Sequence, residues 1–373
     1  MNEPAAKKVI YIVSQVHKSL AFEWIAEGLK KKYDLYFILL NAAGSPLEDF
    51  LSAKGIKVRR INYRGKKDFL TAFIKTFFFL VKSRPNVVHA HLLDAQLIGL
   101  STAKLAGIKN RIYTRHNSNF HHVYHRKGIL FDRLSNWLAT QIVSISYATD
   151  FTLTQLENVK ASKIVKIPHG FDMKIFEHVS SERRASIINK WSITDNKPIV
   201  GIIARHIEWK GIQYIIPAFK KFLNEYPSAT LVLANATGPY HKIILELLES
   251  IPRERYILIP FEEDIAALYS VFDLYVHTPI DTVCEAFGQT YIEALAAGVP
   301  SVFTLSGIAN EFIKHEKNAL VVPFKNSDEI YESFLKLWAD VSLREKLISN
   351  GRHDVISKFE LSSMLTALNK LYE

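Results

Sequence analysis

The sequence predicts an α/β protein of two Rossmann-like halves, and three observations point to it. Short apolar runs rich in β-branched residues recur between helical patterns along the chain, as buried parallel strands and their crossover helices do. At 373 residues the chain is longer than one hydrophobic core usually serves. A polar, helix-like stretch over about 173–196 separates the two series of runs and serves as the crossover.

The elements follow in order. Residues 9–13 open the first sheet, 21–32 form its first helix and 35–40 the next strand. The 69–81 segment, with five phenylalanines, is a helix too short to span a bilayer. It packs on the sheet ahead of the strand at 86–90. Because Phe77, Phe78 and Phe79 cannot all face inward, and Lys66, Lys67, Lys82 and Arg84 flank it, a second reading as an interfacial helix stays open. Strands at 111–114, 140–144 and 164–167 finish this half. The second half begins with the apolar run 198–204 and continues through strands at 230–234, 256–259, 274–277, 301–304 and 320–322. Helices at 328–338 and 343–349 follow, then a last one from about 361.

Composition narrows the function. The single cysteine, Cys284, rules out an internal disulfide and suits a reducing cytoplasm. The apolar run at 9–13 is too short for a signal sequence, so a cytoplasmic protein is expected. The net charge of +10 is uneven: residues 1–170 hold 26 Lys and Arg against 11 Asp and Glu, and residues 171–373 hold 21 against 26. A basic first half attracts anions, with anionic headgroups and acidic glycans ahead of nucleic acid, for which no reading motif is present. Peripheral contact with the inner face of a membrane is one consequence.

The most informative segment runs from Glu285 to Pro300. Phe287 and Gly288 end a loop; 289–297 has good helix formers with an apolar face at Tyr291, Ile292 and Leu295, and Gly298 stops the helix. The first-turn amides of Gln289 and Thr290 lack intrahelical acceptors and, with the helix dipole, favour a phosphate. Glu293, one turn in, is placed for ribose hydroxyls, and Glu285, ahead of the helix, for a sugar. Upstream, Arg205 ends the strand 198–204 and Lys210-Gly211 follow in its loop. Ligands of open α/β sheets bind at the carboxyl ends of strands, and two fixed cations there suit a diphosphate.

Together these residues resemble the retaining glycosyltransferases of family four, the group 1 glycosyl transferases. The matching positions are Arg205, Lys210-Gly211, Glu285-x-Phe287-Gly288 with Glu293, Gly298-x-Pro300, and Glu311. Pro85 to His91, His116, Ser144 to Ser146 and Ile167 to Asp172 match more weakly. The resemblance implies the GT-B fold, two Rossmann-like domains with a donor cleft between them. Residues 1–172 would form the acceptor-side domain, with a C-terminal helix at about 358–373 packing back onto it, and 173–357 the nucleotide-sugar domain. It implies transfer of a sugar from a nucleotide-diphosphate donor, a UDP-sugar, to a glycan or lipid-linked acceptor in cell-surface polysaccharide assembly. Catalysis falls to His116, Arg205, Lys210 and Glu285, and donor binding also to Phe287, Gly288, Gln289, Thr290, Glu293, Ser14 and Gln15.

Arg115, Arg126 and Lys127 are expected on the acceptor side. No metal or other cofactor is expected, since cations do the neutralising and no Asp-x-Asp pair occurs. His121 and His125, four residues apart, have metal-ligand spacing but no third ligand nearby. Two departures stand out. The glycine pair of the family's first loop is replaced by 14–19, which contains none, and the Ser306 to Glu311 segment is one residue longer. A UDP-sugar epimerase and a catalytically inactive assembly subunit are the alternatives, the missing glycines favouring the latter.

Overall fold

The computed structural model describes residues 6–194 and 196–373. They divide into two compact units, one holding residues up to Phe171 together with Leu361–Glu373 and the other Asp172–Glu360.

The first unit is a seven-stranded sheet. Its strands are β1 (Lys8–Ser14), β2 (Asp34–Asn41), β3 (Lys57–Asn62), β4 (Val87–His91), β5 (Asn110–Arg115), β6 (Gln141–Ser144) and β7 (Ile164–Lys166). All pairs are parallel, in the order β3-β2-β1-β4-β5-β6-β7. Helices cover both faces, so Val9 to Val13 of β1 are wholly buried. The order reverses between β1 and β4, and ligand sites of such sheets gather at the carboxyl ends beside that reversal. β3 was not expected, because Lys57 to Asn62 is an edge strand with only Ile61 fully inside and therefore carries no apolar run.

The Phe69–Ser83 helix packs on the sheet through Ala72, Thr76 and Leu80, and the Phe79 ring meets Tyr36 at 4.8 Å. Phe78 faces outward, as the three-phenylalanine run requires. The Leu361–Tyr372 helix returns the chain to this unit: Leu361 N–H donates to the Phe171 carbonyl at 3.0 Å, and Tyr372 Oη lies 2.6 Å from His89 Nδ1. Among the described residues no helix is long and apolar enough to cross a membrane.

The second unit is a six-stranded parallel sheet in the order β10-β9-β8-β11-β12-β13. The strands are β8 (Ile199–Ile203), β9 (Thr230–Ala234), β10 (Tyr256–Ile259), β11 (Leu274–His277), β12 (Ser301–Phe303) and β13 (Leu320–Val321). The order reverses between β8 and β11, so the loops that follow these two strands are neighbours. Beneath them lies one core in which Ile202, Leu231 and Val276 pack with Ile215, Phe219 and Phe334.

Candidate functional site

After β8 the chain passes through Ala204 and Arg205 into a 3-10 turn, Glu208–Lys210, and then the Ile212–Glu225 helix. Gly211 joins turn to helix at φ 74°, where a β-carbon would stand 1.8 Å from the Thr278 carbonyl oxygen. Only glycine lets this turn lie so close to the chain leaving β11. Ile280 N–H donates to the Trp209 carbonyl across that contact at 3.1 Å. The result is an ion pair between Lys210 Nζ and Glu285 Oε1, with side chains 20% and 10% exposed.

Glu285 has a second cation-capable neighbour, His277 at the end of β11, whose Nε2 lies 3.3 Å from Oε1. Its backbone N–H donates to Ser306 Oγ at 3.1 Å, which ties the acidic loop to the segment after β12. Burial alone would push the Glu285 carboxyl up, but Lys210 and His277 outweigh it and hold the group down at about 2. Burial lowers His277, with Glu285 opposing. Burial, aided by Glu285 and Asp281, pushes the Cys284 thiol up to about 12, so this cysteine is no nucleophile.

Gly288, at φ 83°, opens the Gln289–Ala297 helix, and a β-carbon there would meet the Tyr291 ring at 2.6 Å. No side chain caps this helix, so its first-turn amides keep their donors for a ligand. Glu293 is buried, and its carboxylate accepts from Gln289 Nε2 at 2.7 Å and Tyr269 Oη at 3.2 Å. Burial raises this carboxyl, with the two hydrogen bonds opposing. Phe287 is buried against Phe359, Thr290 is partly covered, and Gln289 and Arg205 are exposed. Arg205 makes no ion pair among the described residues, so its charge is free for a ligand. Glu311 is exposed on the short Ala309–Phe312 helix.

The remaining expected residues belong to the first unit. His116 follows β5, and its Nε2 lies 2.9 Å from His91 Nδ1 while its ring stacks on His169 at 5.5 Å. Burial first, then the neighbouring imidazoles, lowers His116 to about 3; burial lowers His169 to about 4. Both rings are neutral at physiological pH. Ser14 is buried and accepts from Ala95 N–H at 3.3 Å, and Gln15 adopts φ 55°. The left-handed bend that a glycine would provide is thus kept without one.

Arg115 corrects the expected acceptor side. It is fully buried, paired with Asp132 at 2.9 Å and Glu157 at 2.6 Å, and cannot meet an acceptor. Arg126 and Lys127 are exposed. His121 Nδ1 is taken by Asp132 at 2.6 Å, a structural bond that accounts for one of the two spaced histidines. Sequence reasoning missed His277, Ser306 and Tyr269. A histidine ending an apolar strand was a visible signal for the first; for Tyr269, whose partner lies 24 residues on, there was none.

Comparisons with known proteins bear on the family and the fold. A family model described as glycosyl transferases group 1 matches residues 183–354, and one described as glycosyltransferase family 4 matches residues 22–174. An uncharacterized glycosyltransferase of Methanocaldococcus jannaschii is 24% identical over 94% of this chain and 92% of its own. The alpha-monoglucosyldiacylglycerol synthase of Acholeplasma laidlawii is 24% identical over 76% and 74%. Among solved structures, Anabaena Alr3699/HepE in complex with UDP and glucose superposes with a TM-score of 0.84 at 19% identity, covering 97% of this chain and 98% of that one.

Proposed function

The chain belongs to the group 1 glycosyl transferases and has their GT-B fold, and from that membership we propose that it moves a sugar from a UDP-sugar to a glycan or lipid-linked acceptor with retention at the anomeric carbon. The observation that carries the reading is the Lys210–Glu285 pair beside the uncapped helix after Gly288. Breaking the anomeric bond places negative charge on the departing diphosphate. Arg205, Lys210 and the amides of Gln289 and Thr290 supply fixed positive charge for it before the reaction begins. Losing one such donor costs about 3 kcal/mol, roughly a hundredfold in rate.

Glu285, ionised through its cations, accepts from sugar hydroxyls and keeps the Lys210 ammonium in place. Glu293 acts at the ribose, and its bonds to Gln289 and buried Tyr269 fix its rotamer. Neutral His116 donates to or accepts from the sugar without adding charge near the developing oxocarbenium. With these cations present the reaction needs no metal. The UDP and glucose bound by the Anabaena protein, and the lipid named for the Acholeplasma enzyme, support the donor and acceptor classes. A role in cell-surface polysaccharide or glycolipid assembly, on the cytoplasmic side of the membrane, follows from such acceptors.

The test is turnover with UDP-glucose and a diacylglycerol or glycan acceptor in excess EDTA. Proton NMR of the first-formed product should show the donor's α-anomer and UDP release matching sugar transferred. A β-anomer would overturn retention. Loss of activity in EDTA, restored by a divalent cation, would overturn metal independence. UDP-sugar conversion without acceptor would support the epimerase instead.

A further inference from the structure

In the first unit the Gly128–Leu138 helix carries features that sugar transfer does not use. Leu130, Leu134 and Trp137 are 68%, 41% and 65% exposed and, spaced four and three residues apart, form one stripe. Beside Trp137 opens a cavity of about 470 Å³ lined by Arg133, Lys160 and Lys163. Lys104 Nζ sits 3.1 Å from the centre of the Trp137 ring. Among the described residues that line the cavity Glu157 is the one carboxylate, and it is buried and bonded to Arg115 and Asn136, while Asp132 is buried with Arg115 and His121. Thr140 and Lys163 immediately precede β6 and β7, so the cavity lies at the amino ends of the strands, the edge opposite Ser14 and His116.

We infer that this helix and its cavity dock the protein on a bilayer leaflet rich in anionic phospholipid. Trp137, Leu134 and Leu130 enter the boundary between headgroups and acyl chains, and Arg133, Lys160 and Lys163 bind headgroup phosphates. An amphipathic indole beside cations is the chemistry of that interface. Each cation at an anionic surface strengthens binding roughly fivefold. A second copy of this face is a poorer occupant, since a two-fold contact would set like charges against each other. The docking needs neither donor nor acceptor, so its failure would leave the reaction proposed above untouched.

Flotation of the full chain with phosphatidylcholine vesicles, with and without an equal part of phosphatidylglycerol, tests it. Binding should be at least tenfold tighter to the mixed vesicles and weaken in high salt. Trp137→Ala and the double variant Arg133→Glu/Lys160→Glu should each lose at least tenfold, with unchanged melting by circular dichroism. Equal binding to both vesicles, no binding, or undiminished binding by these variants would overturn the inference. So would loss of binding only in Phe78→Ser, which would give the contact to the Phe69–Ser83 helix. Free glycerol phosphate competing as well as vesicles would make the cavity a small-anion site. Self-association abolished by Trp137→Ala would make the face an interface between copies.

Discussion

Arg205 and Lys210 share a proposed task but not a structural situation, and their substitutions should differ accordingly. Arg205 is exposed and unpaired among the described residues, so Arg205→Ala should cut turnover at least tenfold with melting unchanged. Lys210 neutralises buried Glu285; Lys210→Ala should lose turnover and also destabilise the fold by about 3 kcal/mol, because a buried carboxylate is left without its cation. Chemical denaturation monitored beside initial rates separates the two. Glu285 also sets a pH dependence. Its carboxyl sits at about 2 in the fold, below the roughly 4.3 of an unfolded chain. The stability this provides is full above that unfolded value and is lost as pH falls toward 2, on the order of 3 kcal/mol in all. The urea midpoint should therefore drop between pH 5 and pH 3 more steeply in the wild type than in Glu285→Gln; parallel curves would contradict it. Arg205, Lys210 and Glu285 were legible because their places at strand ends and loop mouths follow from local pattern alone. Arg115 was not, since its burial depends on Asp132 and Glu157, 17 and 42 residues away.

Among elements, the Gln289–Ala297 helix was read in full, its glycines at both ends and its apolar face being local signals. The β3 edge strand escaped because its side chains meet solvent and leave no periodic trace. At the start of the Gln289–Ala297 helix, Gly288→Ala would force a β-carbon against the Tyr291 ring at a left-handed φ. The helix start must then shift, and affinity for UDP should fall at least tenfold by calorimetry; an unchanged affinity would remove the helix amides from the site. Gln15, at φ 55°, predicts the opposite response. Gln15→Gly relieves a left-handed side chain and should stabilise by up to about 1 kcal/mol without loss of turnover. A large loss would mean that the glutamine side chain contacts the donor.

For the whole molecule, the two-unit division was visible in length and in the polar crossover, and the return of the last helix to the first unit was implied by family resemblance rather than by pattern. The uneven charge also divides the molecule, because the basic first unit holds the exposed cations around Trp137. In the proposed reaction the second unit presents a cationic site for a nucleotide-diphosphate sugar, built by Arg205, Lys210 and the helix after Gly288. Titration calorimetry of UDP into the wild type and Arg205→Ala, in EDTA, tests it most directly. Saturable one-to-one binding by the wild type, weakened at least tenfold in the variant, is the predicted result. No binding of UDP, or of GDP and ADP in its place, or equal affinity in the two proteins would contradict it.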